Sequence, residues 1–413
     1  MTSISADDIQ KKAQEVFGVK SLTKEQIEAV SLTLQKENTF VFLPTGAGKS
    51  MCFYLIPLLQ PDSTIIIISP LVALMSQQVK ELESRNLTAT YVCAENKADA
   101  LRSIEKGVQY IFCTPEQAAD EKFRAAMIKI RSKIKLLAID EAHCIYQSNA
   151  DFRMEYKMLA FIKEALGCPV MCLTATPIAE VRALLPSNLG LKDFKLVTAN
   201  LDRPELFLEV ETIDSMSRLP ARVISQLKKQ DGLTMIFVQD KNKVRELWKQ
   251  VAKEIPQTEM FHADLTSEQK NIVLEEMMEG KLKVVITTSA LGMGMTIPKV
   301  RWVILFGLPD SILDLCQQLG RACRDHALGT ATLLISKRQR GANDHAMQDL
   351  VEQYAFGKKC KRASLLESSF FNFCNVEISS FFDPLPLQGF WTSVARPFLR
   401  TRMLFGLPPT QIL

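Results

Sequence analysis

Short, almost wholly apolar runs punctuate the chain, and between them lie longer stretches in which apolar positions recur at helical spacing. In the first half the runs fall near 39–43, 64–69, 88–93, 109–113, 134–139 and 169–174. A run such as Ile134 to Ile139, apolar on nearly every position, leaves little room for an exposed face, as in a strand of a parallel sheet covered on both sides. The alternation from Phe40 to Leu185 therefore predicts such a sheet with its covering helices. After Asn200-Leu201-Asp202-Arg203-Pro204 the rhythm restarts. Strands are expected near 206–210, 233–238, 258–262, 283–288, 300–305 and 329–335, with helices near 218–230, 241–254 and 266–279. The expected fold class is α/β, with tandem parallel-sheet domains over 1–200 and 201–340 and a short irregular or helical segment over 341–413.

Composition changes this picture little. A chain of 413 residues with 47% apolar content can fill two or three cores. Fifty basic against 46 acidic residues leave a net charge of +4, so global charge neither demands nor excludes a nucleic acid partner. The four consecutive isoleucines between Ser63 and Ser69 are too few to span a bilayer, and the polar start lacks a basic-then-apolar secretory leader. An intracellular protein, neither secreted nor membrane-bound, is expected. Ten cysteines scattered through apolar segments, with no CxxC pair, read as reduced core thiols.

The candidate chemistry sits at the ends of these runs. Pro44-Thr45-Gly46-Ala47-Gly48-Lys49-Ser50 follows the first strand and precedes a helical stretch from Met51. Glycines there let successive N–H groups turn inward on an anion, Lys49 adds a point charge, and Ser50 offers a hydroxyl to magnesium. Leu43 stands where the general phosphate-loop pattern has its first glycine. The bland alternative is an ordinary Gly-rich strand-to-helix turn. Asp140-Glu141-Ala142-His143 ends the strand at Ile139, where carboxylates open into the crevice of a parallel sheet. Asp140 is suited to hold magnesium and Glu141 to polarise a water, and a solvated acidic turn is the competing reading. In the second half, Arg321 and Arg324 stand three apart at the end of a helix from Ile312, so both guanidiniums can face one way. Spacing leaves two readings open: an arginine finger aimed at the opposite domain, or surface arginines paired with Asp325 or Asp314.

Taken in order, the phosphate loop, Asp-Glu-Ala-His and Gln317-Gln318-Leu319-Gly320-Arg321-Ala322-Cys323-Arg324 resemble a superfamily 2 helicase. Several connecting segments are similar to the RecQ family in particular: Ser69-Pro70-Leu71-Val72-Ala73-Leu74-Met75, Cys113-Thr114-Pro115-Glu116, Asp151-Phe152-Arg153, Leu173-Thr174-Ala175-Thr176-Pro177, Leu201-Asp202-Arg203-Pro204 and Ala290-Leu291-Gly292-Met293-Gly294-Met295. The resemblance runs from about Phe17 to about Ser336. It implies two RecA-like domains, ATP and Mg²⁺ as cofactors, and 3′–5′ translocation on single-stranded DNA with unwinding of tailed or forked duplex DNA in repair or recombination. It also implies that Gln26 reads adenine, that Gln317, Arg321 and Arg324 close over the phosphates, and that His143, Thr174 and Thr176 link ATP state to domain movement. Along the DNA path it places Ser69, Pro70, Pro115, Phe152, Arg153, Gly292 and Gly294. Nuclear residence follows from family habit alone. The rival readings are a DNA-stimulated ATPase or translocase with weak or no unwinding, a superfamily 2 RNA helicase, and a binding module with a vestigial nucleotide pocket.

The sequence also departs from that family. Thr23 stands where an arginine is usual before the adenine-motif glutamine, and Ser148-Asn149-Ala150 replaces Trp-Gly-His, with Tyr146 nearby. Stacking of a base on an aromatic ring contributes about 1–3 kcal/mol, so losing the tryptophan predicts poor stimulation by DNA. Cys360 resembles the first ligand of a zinc-binding region, but only Cys374 and the distant His345 follow it, so zinc is not expected. From Phe370 the sequence stops resembling the family, which reads as a truncated or alternative end. The basic groups Lys337 to Arg340 and Lys358 to Arg362 read as solvated faces.

Overall fold

The computed structural model describes residues 4–144, 159–176, 186, 189–191, 193–213, 216–227, 232–291, 297–325, 327–336 and 346–370. Within them lie two all-parallel sheets. The first contains β1 (Thr39–Phe42), β2 (Thr64–Ile68), β3 (Ala89–Val92), β4 (Tyr110–Cys113), β5 (Ile134–Ile139), β6 (Val170–Thr174) and β7 (Lys195–Thr198), in the order β3-β4-β2-β5-β6-β1-β7. The second contains β8 (Leu206–Ile213), β9 (Leu233–Val238), β10 (Thr258–Phe261), β11 (Val284–Thr287), β12 (Val300–Phe306) and β13 (Gly329–Ser336), in the order β10-β11-β9-β12-β13-β8. The sheets are the two lobes expected from the hydrophobic rhythm. Only β7 lies outside that expectation: it is an edge strand whose lysine is exposed and whose burial is uneven, so it lacks the continuous apolar run of a central strand.

Burial on both faces explains the apolar runs. Along β2, Ile66 and Ile68 enter one core while Ile65 and Ile67 enter the core on the opposite face. Phe40 and Phe42 of β1 divide from Val41 and Leu43 in the same way. The helices are set by local caps: Ser5 and Thr23 each form a capping box at Ala6–Phe17 and Lys24–Leu34, and Thr266 does so at Ser267–Met278. Thr23, which departs from the resembled family, is thus the N-cap of the helix that carries Gln26. The helix after the phosphate loop stops at Tyr54, and its carbonyl, with no further turn to bond, accepts the Tyr110 hydroxyl at 2.7 Å.

Beyond β13, helices Ala346–Phe356 and Lys361–Phe370 return to the second lobe. Within the basic run Lys358 to Arg362, Lys358 and Lys359 are exposed as expected of a solvated face, but Lys361 and Arg362 are not. Lys361 Nζ donates to the carbonyls of Tyr354, Ala355 and Gly357, closing the end of the preceding helix. Arg362 donates to Asp202 Oδ1 and to the carbonyls of Arg203 and Leu206, so the last described helix is pinned to the linker between the lobes. Lys337 to Arg340, His345 and Cys374 lie outside the described residues, and Cys360 is exposed. Nine described cysteines are free thiols. No helix among the described residues is long and apolar enough to cross a membrane.

Replacing Tyr110 with Phe leaves the Tyr54 carbonyl buried without a donor, and we expect a loss of about 1–2 kcal/mol of stability. Urea unfolding of the variant checks this, and an unchanged midpoint contradicts it.

Candidate active site

Three adjacent strands of the first lobe deliver their following loops to one place. β6 pairs in parallel with β1 on one side and β5 on the other, so the phosphate loop after β1, Thr174 to Thr176 at the end of β6, and Asp140-Glu141 after β5 share the carboxyl edge of the sheet. The phosphate loop curls through positive φ at Gly46 (85°) and Gly48 (68°), a region that glycine enters without steric cost. Gln26 fastens it from behind: its Nε2 donates at 3.0 Å to the carbonyls of both Ala47 and Gly48, while its Oε1 accepts the Thr23 N–H at 2.8 Å. Both ends of that amide are therefore bonded to protein, and the side chain is buried. The adenine-reading amide expected from the family resemblance holds the phosphate loop in this structure.

Of the carboxylate pair, Asp140 is buried, while Glu141 is strained and keeps 18% of its side chain exposed. Glu141 adopts φ 47°, a left-handed conformation that costs a non-glycine residue about 1–3 kcal/mol, and its N–H donates to Asp140 Oδ1 at 2.9 Å. Burial and the neighbouring Glu141 charge push Asp140 up to about 7, against the attraction of Lys49. Glu141 moves the other way. Burial raises it, but Lys49, His143, Arg321 and Arg324 together hold it below the usual carboxylate range.

His143 joins the two lobes. Its side chain is 1% exposed, its Nδ1 lies 2.8 Å from Thr174 Oγ1 and 3.4 Å from Glu141 Oε2, and its Nε2 meets the Gln317 amide of the second lobe. With the proton assigned to Nδ1, the imidazole donates to Thr174 and accepts from Gln317, so every donor has an acceptor. Thr174 Oγ1 also accepts the Thr176 N–H at 3.0 Å. The residues His143, Thr174, Thr176 and Gln317 thus form one hydrogen-bonded line crossing the cleft.

The second lobe reaches the phosphate loop as well. Thr45 Oγ1 donates to the Gly320 carbonyl at 3.1 Å, and a Cβ at Gly320 would fall 3.2 Å from that hydroxyl and 2.9 Å from the Cys316 carbonyl, so this approach requires glycine. The helix Ile312–Leu319 stops before the arginines. They stand on the turn that follows, where Cys323 takes φ 56°, and their common direction comes from that turn, not from helical register. Of the two readings left open by spacing, surface pairing is excluded for Arg321, which is 4% exposed, and the Asp325 carboxylate is engaged by Arg301 at 2.9 and 2.7 Å. Burial lowers Arg321 to about 9 and Arg324 to about 10, with Glu141 opposing the shift in both, so both stay charged at neutral pH.

Along the expected DNA path, the structure departs from side-chain contact at two positions. Ser69 is 0% exposed and Pro115 is buried at the start of the helix Pro115–Ala119, whereas Pro70 is partly accessible. Phe152, Arg153, Gly292 and Gly294 lie outside the described residues, as do Tyr146 and Ser148 to Ala150. Sequence reasoning missed Arg203, whose guanidinium binds the carbonyls of the arginine turn, and Gln78, whose Nε2 lies 3.5 Å from Ser50 Oγ. The first stood within a segment already singled out; nothing in the local pattern marked the second.

Residues 23–184 match the family profile of the DEAD/DEAH box helicases, and residues 216–326 match that of the helicase conserved C-terminal domain. The chain is 32% identical over 325 residues to the ATP-dependent helicase wrn-1 of Caenorhabditis elegans, covering 75% of this chain and 30% of that protein. It is 31% identical over 380 residues to a putative ATP-dependent RNA helicase of Acanthamoeba polyphaga mimivirus, covering 87% and 69%. It is 30% identical over 374 residues to the ATP-dependent DNA helicase RecQ of Haemophilus influenzae, covering 85% and 59%. The fold is also that of the DUF1998 helicase MrfA bound to DNA and AMPPNP, with a TM-score of 0.70 at 18% identity over 86% of this chain and 52% of that one. Two sheets facing one cleft define the helicase core of superfamily 2, and the chain belongs to the RecQ family within it. It spans 30% of the length of the nematode relative and 59% of the bacterial one.

Burial is the first cause holding His143 below its ordinary value of 6.5, with Glu141 opposing and Lys49 assisting. A depressed histidine contributes stability that is present above 6.5 and lost as pH falls below it. An NMR titration of the His143 ring, assigned with His143→Gln, should therefore find it neutral at pH 6.5; a midpoint above that value contradicts the burial argument.

Proposed function

We propose that the chain is an ATP-driven motor on nucleic acid that hydrolyses ATP between its lobes. The observation that carries this reading is one cavity lined by Thr45 of the phosphate loop and Glu141 of the first lobe together with Arg321 and Arg324 of the second, closed by the Thr45–Gly320 and His143–Gln317 hydrogen bonds. Lys49 and the loop amides would bind the β- and γ-phosphates. Glu141, held ionised, would orient the attacking water. Arg321 and Arg324, desolvated and still charged, would stabilise charge developing on the transferred phosphoryl group.

Ser50 and Asp140 would hold Mg²⁺. They fit it: a hydroxyl and a buried carboxylate are hard oxygen donors of the number that magnesium takes when phosphates and waters complete its shell. Bound there, the ion neutralises phosphate charge. Gln26 contributes by fixing the Ala47 and Gly48 carbonyls, and reading adenine with the same amide would require one of those bonds to be exchanged.

The cavity between the lobes, lined by Thr45, Glu141, His143, Gln317, Arg321 and Arg324, holds about 130 Å³. Ligand sites usually offer about 300–1,000 Å³, so a triphosphate enters only as the lobes part. That opening and closing is the stroke of the motor. His143 and Gln317, bonded across the seam, register it, and Thr174 and Thr176 pass it to the first lobe.

For the track we infer DNA with 3′–5′ movement on a single strand, from membership in the RecQ family. A mimivirus relative described as an RNA helicase supports RNA as the second reading. Strand separation on duplexes with a 3′ or a 5′ tail decides this: we expect ATP-dependent activity on the 3′-tailed DNA, and equal activity on both tails or activity on RNA alone contradicts it. Glu141→Gln removes the carboxylate and keeps the shape, so turnover should fall by about 10²-fold or more with ATP affinity retained. A variant that still hydrolyses ATP at the wild-type rate would falsify the role given to Glu141.

A further inference from the structure

Arg203 has no task in the mechanism above, yet it is the most heavily bonded side chain of the linker. Its Nε donates to Glu205 Oε1 at 2.7 Å, which fixes the plane of the guanidinium. One terminal nitrogen then donates to the carbonyls of Ala322 and Cys323, at 2.7 Å each, and the other lies 3.4 Å from the Gly320 carbonyl. Those carbonyls belong to the turn that carries Arg321 and Arg324. The side chain is 13% exposed, so these bonds form largely out of water.

The turn needs holding. Cys323 stands between the arginines at φ 56°, where a side chain crowds the backbone, and its N–H is tied to the Val300 carbonyl at 2.9 Å. A residue so placed relaxes towards negative φ unless its surroundings over-determine it. Relaxation at Cys323 would rotate the peptide on either side and swing both guanidiniums away from Glu141. Arg203 bonds the carbonyls of Ala322 and Cys323, the groups that would have to move.

The linker is itself braced. Arg362, from the helix Lys361–Phe370, donates to the Arg203 carbonyl at 2.6 Å, the Leu206 carbonyl at 2.5 Å and Asp202 Oδ1 at 2.7 Å. We propose that Arg203 is the positioning residue of the arginine pair: by clamping the left-handed turn at Cys323 it aims Arg321 and Arg324, and through Arg362 the C-terminal helix sets how well they are aimed. The inference rests on the hydrolytic reading of the cleft. A guanidinium serving packing alone would not need its bonds gathered on the turn that bears the catalytic charge. The placement also gives the C-terminal helices a means of altering turnover without touching nucleotide.

The experiment compares wild type, Arg203→Ala, Arg203→Lys, Arg362→Ala, Cys323→Gly and the double variant Arg203→Ala/Cys323→Gly. For each, steady-state kcat and KM for ATP are measured, together with affinity for AMPPNP and for ADP with aluminium fluoride, which mimics the transferred phosphoryl group. Misaiming by about 1 Å costs about 100-fold, so Arg203→Ala should lose about that factor in kcat and in aluminium fluoride affinity, with KM and AMPPNP affinity within about threefold of wild type. Arg203→Lys, which keeps the charge and one donor direction, should fall between the two, and Arg362→Ala should lose about three- to tenfold. Glycine meets no penalty at positive φ, so the double variant should recover about tenfold over Arg203→Ala.

A kcat within threefold of wild type in Arg203→Ala overturns the proposal. So does a parallel loss of AMPPNP affinity in both Arg203→Ala and Arg203→Lys, the mark of a merely structural role, and so does a double variant no faster than the single one. A wild-type chain that hydrolyses no ATP removes the hydrolytic reading and this proposal with it; an active wild type with an active Arg203→Ala removes only this proposal.

Discussion

A parallel strand hands its following loop to one edge of its sheet, and that constraint assembles the half of the candidate site on which the rest of the cleft closes. In the first lobe it gathers the phosphate loop, the carboxylate pair and the threonines of β6 on a single edge. It also leaves that edge short of positive charge over the place where a γ-phosphate would sit. The second lobe brings Arg321 and Arg324 to the same cleft from the opposite edge of its own sheet, on the turn between the helix Ile312–Leu319 and β13, where Cys323 bonds Val300 at the start of β12. The seam is built from Thr45 with Gly320 and His143 with Gln317.

Burying this many charged groups together is costly, and the structure offsets the cost by mutual pairing. Asp140 is driven up to about 7 by burial and by Glu141, while Arg321 and Arg324 are driven down to about 9 and about 10 by burial. A phosphate and a cation brought into the cleft would act on these same groups, with opposite charges where burial now works against them. Two left-handed non-glycine residues, Glu141 and Cys323, sit on the two sides of the same cleft.

Most of the fold was legible because central strands of a doubly covered sheet are apolar on both faces, and β2 or β9 admits no other reading. β7 was not, since an edge strand of four residues with an exposed lysine lacks that signature. The site divides in the same way. Lys49, Asp140 and Glu141 follow strands directly, so short-range pattern singles them out, whereas the role expected of His143 came from the family resemblance, and spacing left the arginine pair open until that resemblance favoured the cleft. The reason for the arginines' direction was illegible, because it lies in a left-handed cysteine and in carbonyls bonded by Arg203 from 117 to 120 residues away. Gln26 was recognised as important but given a different bond, since capping and loop-holding depend on tertiary neighbours that sequence does not display. Ser69 shows the converse: a segment on the expected DNA path does not guarantee that each of its side chains faces outward.

The central claim is that one triphosphate is gripped by both lobes at once. Amide hydrogen exchange tests it most directly, followed over 46–50 in the first lobe and 320–325 in the second while Mg²⁺ and a non-hydrolysable ATP analogue are titrated in. Both segments should change their exchange at the same nucleotide concentration, with one midpoint. A response confined to the first lobe, with the arginine turn indifferent to saturating nucleotide, would contradict the account.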